Sequence, residues 1–343
     1  MIFAIIFTSR EAVCAARGHS PEIGVDLMSS ASINKCDTQR WKQDVRDSVL
    51  LYNDWFVRFA PAAYRGARAS SIDSVVEAFE KSGYFRDISV ELLKEAPQIL
   101  AILRMATMPP LARDRLAGLS DVPNTLIKKL ESGEIPAKHV NSLEKIIKVI
   151  RQLLDKDLMP WLAGKGRPSR DDLTIAKAII GDRICGSIAD PHIRNAQERR
   201  QLEKIGDFLR RRLYRFVKPK DVKDIRSMQP GTFSYHLNVP VKVGSSAKVN
   251  IPADVVIMRK NAPKGSLPIF IECKSAGDFT NTNKRRKEEA VKMAQLTDTY
   301  GKSVEFVLFL CGYFDSGYLG YEAAEGIDWV WEHRIEDLEK AGV

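Results

Sequence analysis

The sequence contains no apolar run approaching the roughly 18 residues that a membrane-spanning helix needs, so no membrane partner is expected. Its most apolar stretch near the start, MIFAIIF, lacks a basic beginning and is cut short by Thr8, Ser9 and Arg10, which argues against a signal-peptide core. Cysteine is scarce and scattered. Cys14, Cys36, Cys185, Cys273 and Cys311 form no CxxC pair, and the five histidines have no metal-ligand spacing. Structural zinc is therefore excluded and a reducing cytoplasm is the expected location. No segment recurs with a period of roughly 20 to 50 residues. Negative charge is in deficit, with 44 Asp and Glu against 53 Lys and Arg, a formal net charge of +9. That excess suits an anionic partner, because clustered Lys and Arg release counterions from a phosphate backbone.

What is present divides the chain. A length of 343 residues favours two domains over one ordinary core. Residues 1–36 show no steady period and are expected to be a disordered or misannotated extension, with Met28 as an alternative start. Over residues 37–165 apolar positions recur at three and four, as in Val45, Val49, Leu50 and Trp55, which predicts a helical domain ending near the turn-forming GKGRPSRDD stretch at 164–172. Residues 166–343 read differently. A helix at 172–189 leads into a basic helix at about 192–216, followed by the β-rich runs FSYHLNVPV, VNIPADVVIM and PIFIECK, a polar helix at 283–300, the apolar strand VEFVLFLC and a Trp-rich end. The fold class is α/β (α+β), a helical N-terminal half followed by a mixed central sheet flanked by helices.

LARDRLAGLSDVPNTLIKKLESGEIP, residues 111–136, resembles the helix-turn-helix of Cro and repressor-type DNA-binding domains in the spacing of Leu116, Ala117, Val122, Ile127, Glu131 and Gly133. Small Ala117 permits two helices to cross closely, and Gly133 supplies a left-handed stop. Asn124, Thr125, Lys128 and Lys129 are left on the outer face, where a recognition helix meets bases and phosphates. Asp121 stands where the pattern usually has Gly. An ordinary pair of packed helices fits the same residues.

In PIFIECK, alternation along a strand puts Glu272 and Lys274 on one face and Ile271 and Cys273 on the other. Asp254 closes the PAD sequence on the preceding strand, and a hairpin would set it opposite Glu272. Two carboxylates held close raise each other's pKa unless a divalent cation lies between them, and hard oxygen ligands suit Mg²⁺ with substrate phosphate oxygens completing its shell. Lys274 would then position or deprotonate an attacking water and stabilise charge on the phosphate. Lys284, Arg285, Arg286 and Lys287 follow as phosphate contacts, and residues 194–223 hold eleven Lys or Arg against four Asp or Glu. Taken alone, the three-residue signature fits an exposed ion pair at a strand end better than a catalytic site. Its apolar context makes such a pair costly without a functional reason.

PAD with ECK resembles the PD-(D/E)xK nuclease core, and the strings RNAQERRQ, VNIPADVVI, ECKSAGDFTNTNKRRKEEA and FVLFLCGYFDSGYLGYEAAEGIDWVWEHRI resemble the XamI family of type II restriction endonucleases, from about Arg40 to the C-terminus. The resemblance implies a Mg²⁺-dependent endonuclease cutting both strands of a short palindrome in double-stranded DNA, with GTCGAC as the associated site and a DNA methyltransferase as functional partner. It assigns the acidic ligands and the lysine to Asp254, Glu272 and Lys274. Many such cores also use a Glu on the helix before the sheet. Glu198 fits better than Glu203 because it shares a face with Leu202, Ile205 and Leu209, although an ion pair with Arg194 is the simpler role. A palindrome implies a homodimer presenting the same reader to both half-sites. The rival readings are a non-catalytic helix-turn-helix regulator and a repair or structure-specific nuclease. GYFDSGYLGYEAAEG fits either a mobile DNA loop or aromatic packing. His192, His236 and His333 are expected to be ordinary hydrogen-bonded residues, and Asn283 a helix cap rather than, like Asn281, a DNA contact.

Overall fold

The computed structural model describes residues 32–134, 140–164, 166–243, 247–280 and 282–343. They fall into two compact units, Arg58–Arg194 and a second made of the residues up to Val57 together with Asn195–Val343. Both changes of unit lie within long helices, α1 (Trp41–Lys81) and α7 (Arg170–Arg211).

The Arg58–Arg194 unit is helical, with α2 (Val90–Glu95), α3 (Ile99–Met105), α4 (Arg113–Ser120), α5 (Asn124–Glu131) and α6 (Val140–Leu153) between the long helices. Ser89 caps α2 by accepting the N–H of Leu92. On α6, Leu143, Ile146, Ile147 and Ile150 recur at three and four and pack with Leu116, Ile127 and Leu130. Asp121 takes the left-handed conformation between α4 and α5 at φ 50°, which Asp tolerates better than most residues. Glu131 is buried and ion-paired with both Arg104 and Arg113, so this position of the pattern works in packing. The 164–172 stretch expected as a linker lies inside this unit, because Ala176, Ile180 and Ile184 of α7 pack into the same core.

The expected break between residues 189 and 192 does not occur: α7 runs on through Pro191, which forfeits a backbone donor without ending the helix. It stops at Arg211 rather than near 216, where Leu213 turns left-handed at φ 58° and Tyr214 N–H bonds back to the Leu209 carbonyl.

In the second unit a six-stranded mixed sheet follows chain order: β1 (Arg215–Phe216), β2 (Thr232–Val243), β3 (Ala247–Met258), β4 (Ile269–Ala276), β5 (Glu305–Gly312) and β6 (Asp328–Trp331). β2, β3 and β4 pair antiparallel; β4, β5 and β6 pair parallel through the crossover helices α8 (Thr282–Tyr300) and α9 (Ser316–Ala324). One face packs on Leu202, Ile205, Phe208 and Leu209 of α7, the other on α8 and α9 through Leu296, Tyr318 and Leu319. The helix α7 approaches closely at Gly206, where an added Cβ would overlap the Tyr235 hydroxyl that donates to Leu202 O. GYFDSGYLGYEAAEG is the end of β5 and α9 rather than a loop, with Phe314 and Tyr318 buried.

Strand alternation steps once. Phe233 and Tyr235 face the α7 side while Leu237, Val239 and Val241 face the other; on β3, Val255 and Ile257 contrast with Ala253 in the same way. The step falls at His236, φ 49°, between the pairs Tyr235↔Val255 and Leu237↔Ala253, beside Asp254. Residues 1–31 of the expected N-terminal extension lie outside the described residues. Its last part is ordered: Ile33 is buried, and the N–H groups of Ile33, Asn34 and Lys35 converge on the Asp328 carboxylate at 2.7, 2.8 and 3.0 Å. Periodicity could not foresee this, because the partner is nearly three hundred residues away.

Candidate active site

β4 enters the site as a buried strand. Ile269 and Ile271 pack on the α7 side and Phe270 on the other, and the alternation carries Glu272 and Lys274 to the face covered by α8 and α9. Glu272 is only 5% exposed. Its Oε1 receives Lys274 Nζ at 3.1 Å and Lys292 Nζ of α8 at 2.6 Å, while Oε2 is buried without a hydrogen-bond partner among the described residues.

β3 and β4 pair up to Val255↔Ile271, and one step further Asp254 turns its Oδ2 onto the Cys273 N–H at 2.8 Å. The carboxylate is thereby held on the backbone between Glu272 and Lys274. Burial and then the Glu272 charge push Asp254 up to about 6, against the Cys273 N–H and the two lysines. Burial disfavours the Lys274 charge, yet Glu272 and Glu289 hold its pKa above the ordinary lysine value. An ammonium so held is a hydrogen-bond donor poised between two carboxylates.

Glu198 and His236 also stand near Asp254. One potential ligand atom from each of the three lies within 4.8 Å of the others, with His236 Nδ1 3.9 Å from Glu198 Oε1. The pairing of Glu198 with Arg194 does not form among the described residues. Glu198, His236 and Asp254 together could hold a divalent cation, and the unsatisfied buried Oε2 of Glu272, outside that group of three, is a further hard oxygen of the kind such an ion takes.

The XamI restriction endonuclease family model matches residues 83–331. The chain belongs to this family. It is 50% identical over 316 residues, 90% of this chain and 99% of the relative, to the type II restriction enzyme SalI of Streptomyces albus G. A crystal structure of protein VC1899 from Vibrio cholerae shares 13% identity over 73% of this chain and 55% of that one at a TM-score of 0.25, too low to bear on the fold. Membership makes the protein a restriction endonuclease and removes the non-catalytic regulator reading. No helix among the described residues is long and apolar enough to cross a membrane.

The remaining candidate residues of this endonuclease divide. Thr125, Lys128 and Lys129 are exposed on α5, whereas Asn124 is half-buried and donates to Asp114 on α4, so it ties two helices together instead of standing free. Arg286 lies over the Tyr321 ring at 3.5 Å and Lys287 is exposed. Lys284 and Arg285 belong to α8, but their side chains, with Asn281 and the side chain of Asn283, lie outside the described residues. In the basic stretch Arg200 is committed to Glu332 and Trp55, and Arg212 to Glu339, whereas Arg194, Arg199, Arg211, Lys218, Lys220 and Lys223 are among the exposed cations.

Sequence reasoning missed Lys292, Glu289, Tyr318 and Glu322 around the ECK charges and set His236 aside. Only the helical spacing of Glu289 and Lys292, one turn apart, and of Tyr318 and Glu322, four apart, hinted that each pair shares a helix face. His236 carried no signal, since its left-handed backbone arises from the step in β2.

Proposed function

We propose that the chain is a Mg²⁺-dependent type II restriction endonuclease of the PD-(D/E)xK kind, hydrolysing phosphodiester bonds in both strands of double-stranded DNA at a short palindrome, with GTCGAC the site its family resemblance favours. The observation that carries the reading is the buried Glu272 carboxylate beside Asp254, which keeps an unsatisfied oxygen while Asp254 is pushed up to about 6. Charge crowding of this kind is costly unless a cation relieves it.

Asp254 and Glu272 would hold the ion, with Glu198 near Asp254. Bound there, Mg²⁺ supplies Lewis acidity at the phosphate and a more acidic water. Lys274 donates to the attacking water or a phosphate oxygen and offsets charge that grows on the phosphate. Thr125, Lys128 and Lys129, with Asn124 behind them, suit a reader in the helical region of residues 37–165, and Lys284, Arg285, Arg286 and Lys287 suit a phosphate track beside the nuclease region of residues 166–343. The enzyme works as a homodimer in the cytoplasm, beside a methyltransferase that protects the host site.

Incubating the purified protein with plasmid and Mg²⁺, with and without chelator, and sequencing the fragment ends tests this reading. Discrete fragments sharing one palindrome support it. Cutting only at branches or free ends would assign the same core to repair, and cleavage undiminished by chelator would remove the metal.

A further inference from the structure

Glu289 of α8 has no exposed surface, and its Oε1 lies 3.6 Å from Lys274 Nζ, within ion-pair range. Its Oε2 accepts the Tyr318 hydroxyl at 2.8 Å, and Tyr318 is itself 3% exposed on α9. One turn further along α9, Glu322 is also fully buried. Burial and the neighbouring Glu289 push Glu322 up to about 8, because two negative charges side by side in the interior are costly. The arrangement is layered, running from the Lys274 ammonium through Glu289 to the Tyr318 hydroxyl.

A buried carboxylate is expensive, and an apolar side chain of similar volume would pack this position at lower cost. The competition for Glu272 suggests what Glu289 does. Glu272 Oε1 is shared by Lys274 and Lys292, with Lys292 the closer at 2.6 Å. A cation at Asp254 and Glu272 would draw on the same carboxylate. Glu272 therefore divides its charge between two ammonium groups, whereas Glu289 faces Lys274 from α8 and is oriented by Tyr318.

We propose that Glu289, oriented by Tyr318, is a positioning residue that holds the Lys274 ammonium in place for phosphodiester hydrolysis. The proposal rests on the catalytic reading of Lys274 given above. Displacing a reacting group by about 1 Å costs on the order of 10²-fold in rate, and that is the scale of loss expected when the carboxylate is neutralised.

The test compares wild type, Glu289→Gln, Tyr318→Phe and Lys274→Ala in single-turnover cleavage of a DNA fragment that wild type cuts, and in affinity for the same fragment without metal. Glu289→Gln should lose roughly 10²-fold in cleavage rate and Tyr318→Phe roughly tenfold, with DNA affinity within about threefold of wild type in both. Thermal unfolding of Glu289→Gln, Lys274→Met and the double variant adds a measurement independent of activity. The two changes should be non-additive, since contacting residues couple. Wild-type cleavage rates in Glu289→Gln and Tyr318→Phe, or strict additivity in unfolding, would overturn the proposal. If Glu289→Gln does not fold, Tyr318→Phe decides on its own, because it leaves every charge in place. Full activity in Lys274→Ala would instead sink the catalytic reading, whereas an inactive Lys274→Ala beside fully active Glu289 and Tyr318 variants would sink only the positioning role.

Discussion

The carboxylate of Asp254 is bound to the backbone N–H of Cys273, the residue between Glu272 and Lys274 in the ECK sequence, at 2.8 Å. This bond extends the β3–β4 pairing one step beyond Val255↔Ile271 and holds the carboxylate beside Glu272 and Lys274. Asp254→Asn keeps an acceptor for Cys273 and removes the charge. It should fold, bind DNA within a few-fold of wild type, and lose on the order of 10³-fold in cleavage rate in single-turnover assays. Retained cleavage would remove Asp254 from the site.

The unsatisfied Glu272 oxygen predicts a binding event that can be followed without activity. Titration with Mn²⁺ as a paramagnetic stand-in for Mg²⁺ should show a bound ion in wild type and at least tenfold weaker binding in Glu272→Gln, as expected for loss of an anionic hard ligand. Equal affinity in the two proteins would place the ion elsewhere.

Glu322 gives the protein a pH-dependent weakness of definite sign. Its folded pKa of about 8 lies above the ordinary 4.5, so the folded state holds a proton that the unfolded chain releases across that window. Stability falls as pH rises from about 4.5 to 8 and levels off above. Glu322→Gln, neutral throughout, should lack this contribution, and its unfolding midpoint relative to wild type should climb between pH 5 and 9. A constant difference would show that Glu322 ionises normally in the fold.

Gly206 faces the Tyr235 hydroxyl with no room for a methyl group. Gly206→Ala should lower stability by about 1–3 kcal/mol despite the better helix propensity of alanine, as overpacking does. Adding Tyr235→Phe should recover part of the loss in denaturant unfolding. No recovery would mean that the clash is relieved by other movement.

Exposed Lys128 and Lys129 on α5 make a salt prediction. If both meet phosphates, replacing them with Ala should reduce the slope of log affinity against log salt by roughly 0.9 for each lysine. An unchanged slope would make them solvated surface charges.

The sharing of a face by Glu272 and Lys274 was legible because a strand has a period of two, and the helical character of the first half because a helix has a period near 3.6. Composition excluded a helical membrane protein, and the long strings around PAD and ECK carried the family. Local rules also misled where distant atoms decided the outcome. Pro191 reads as a break, but α7 passes through it; residues 32–35 read as a loose tail, but Asp328 gathers their N–H groups.

The sequence by itself thus determined the elements, the charge excess and the pairing of one acid with one lysine, because each depends on residues a few positions apart. Only the tertiary structure decided that Asp254 would grip the backbone of Cys273, that His236 would adopt a left-handed turn beside it, and that α8 and α9 would set Glu289 against Lys274, Lys292 against Glu272 and Tyr318 behind Glu289. Such contacts join segments far apart in the chain, and no periodicity records them. They form only when burial of the two sheet faces sets helices against strands, and the low-polarity interior then makes each charge answer to its nearest partner.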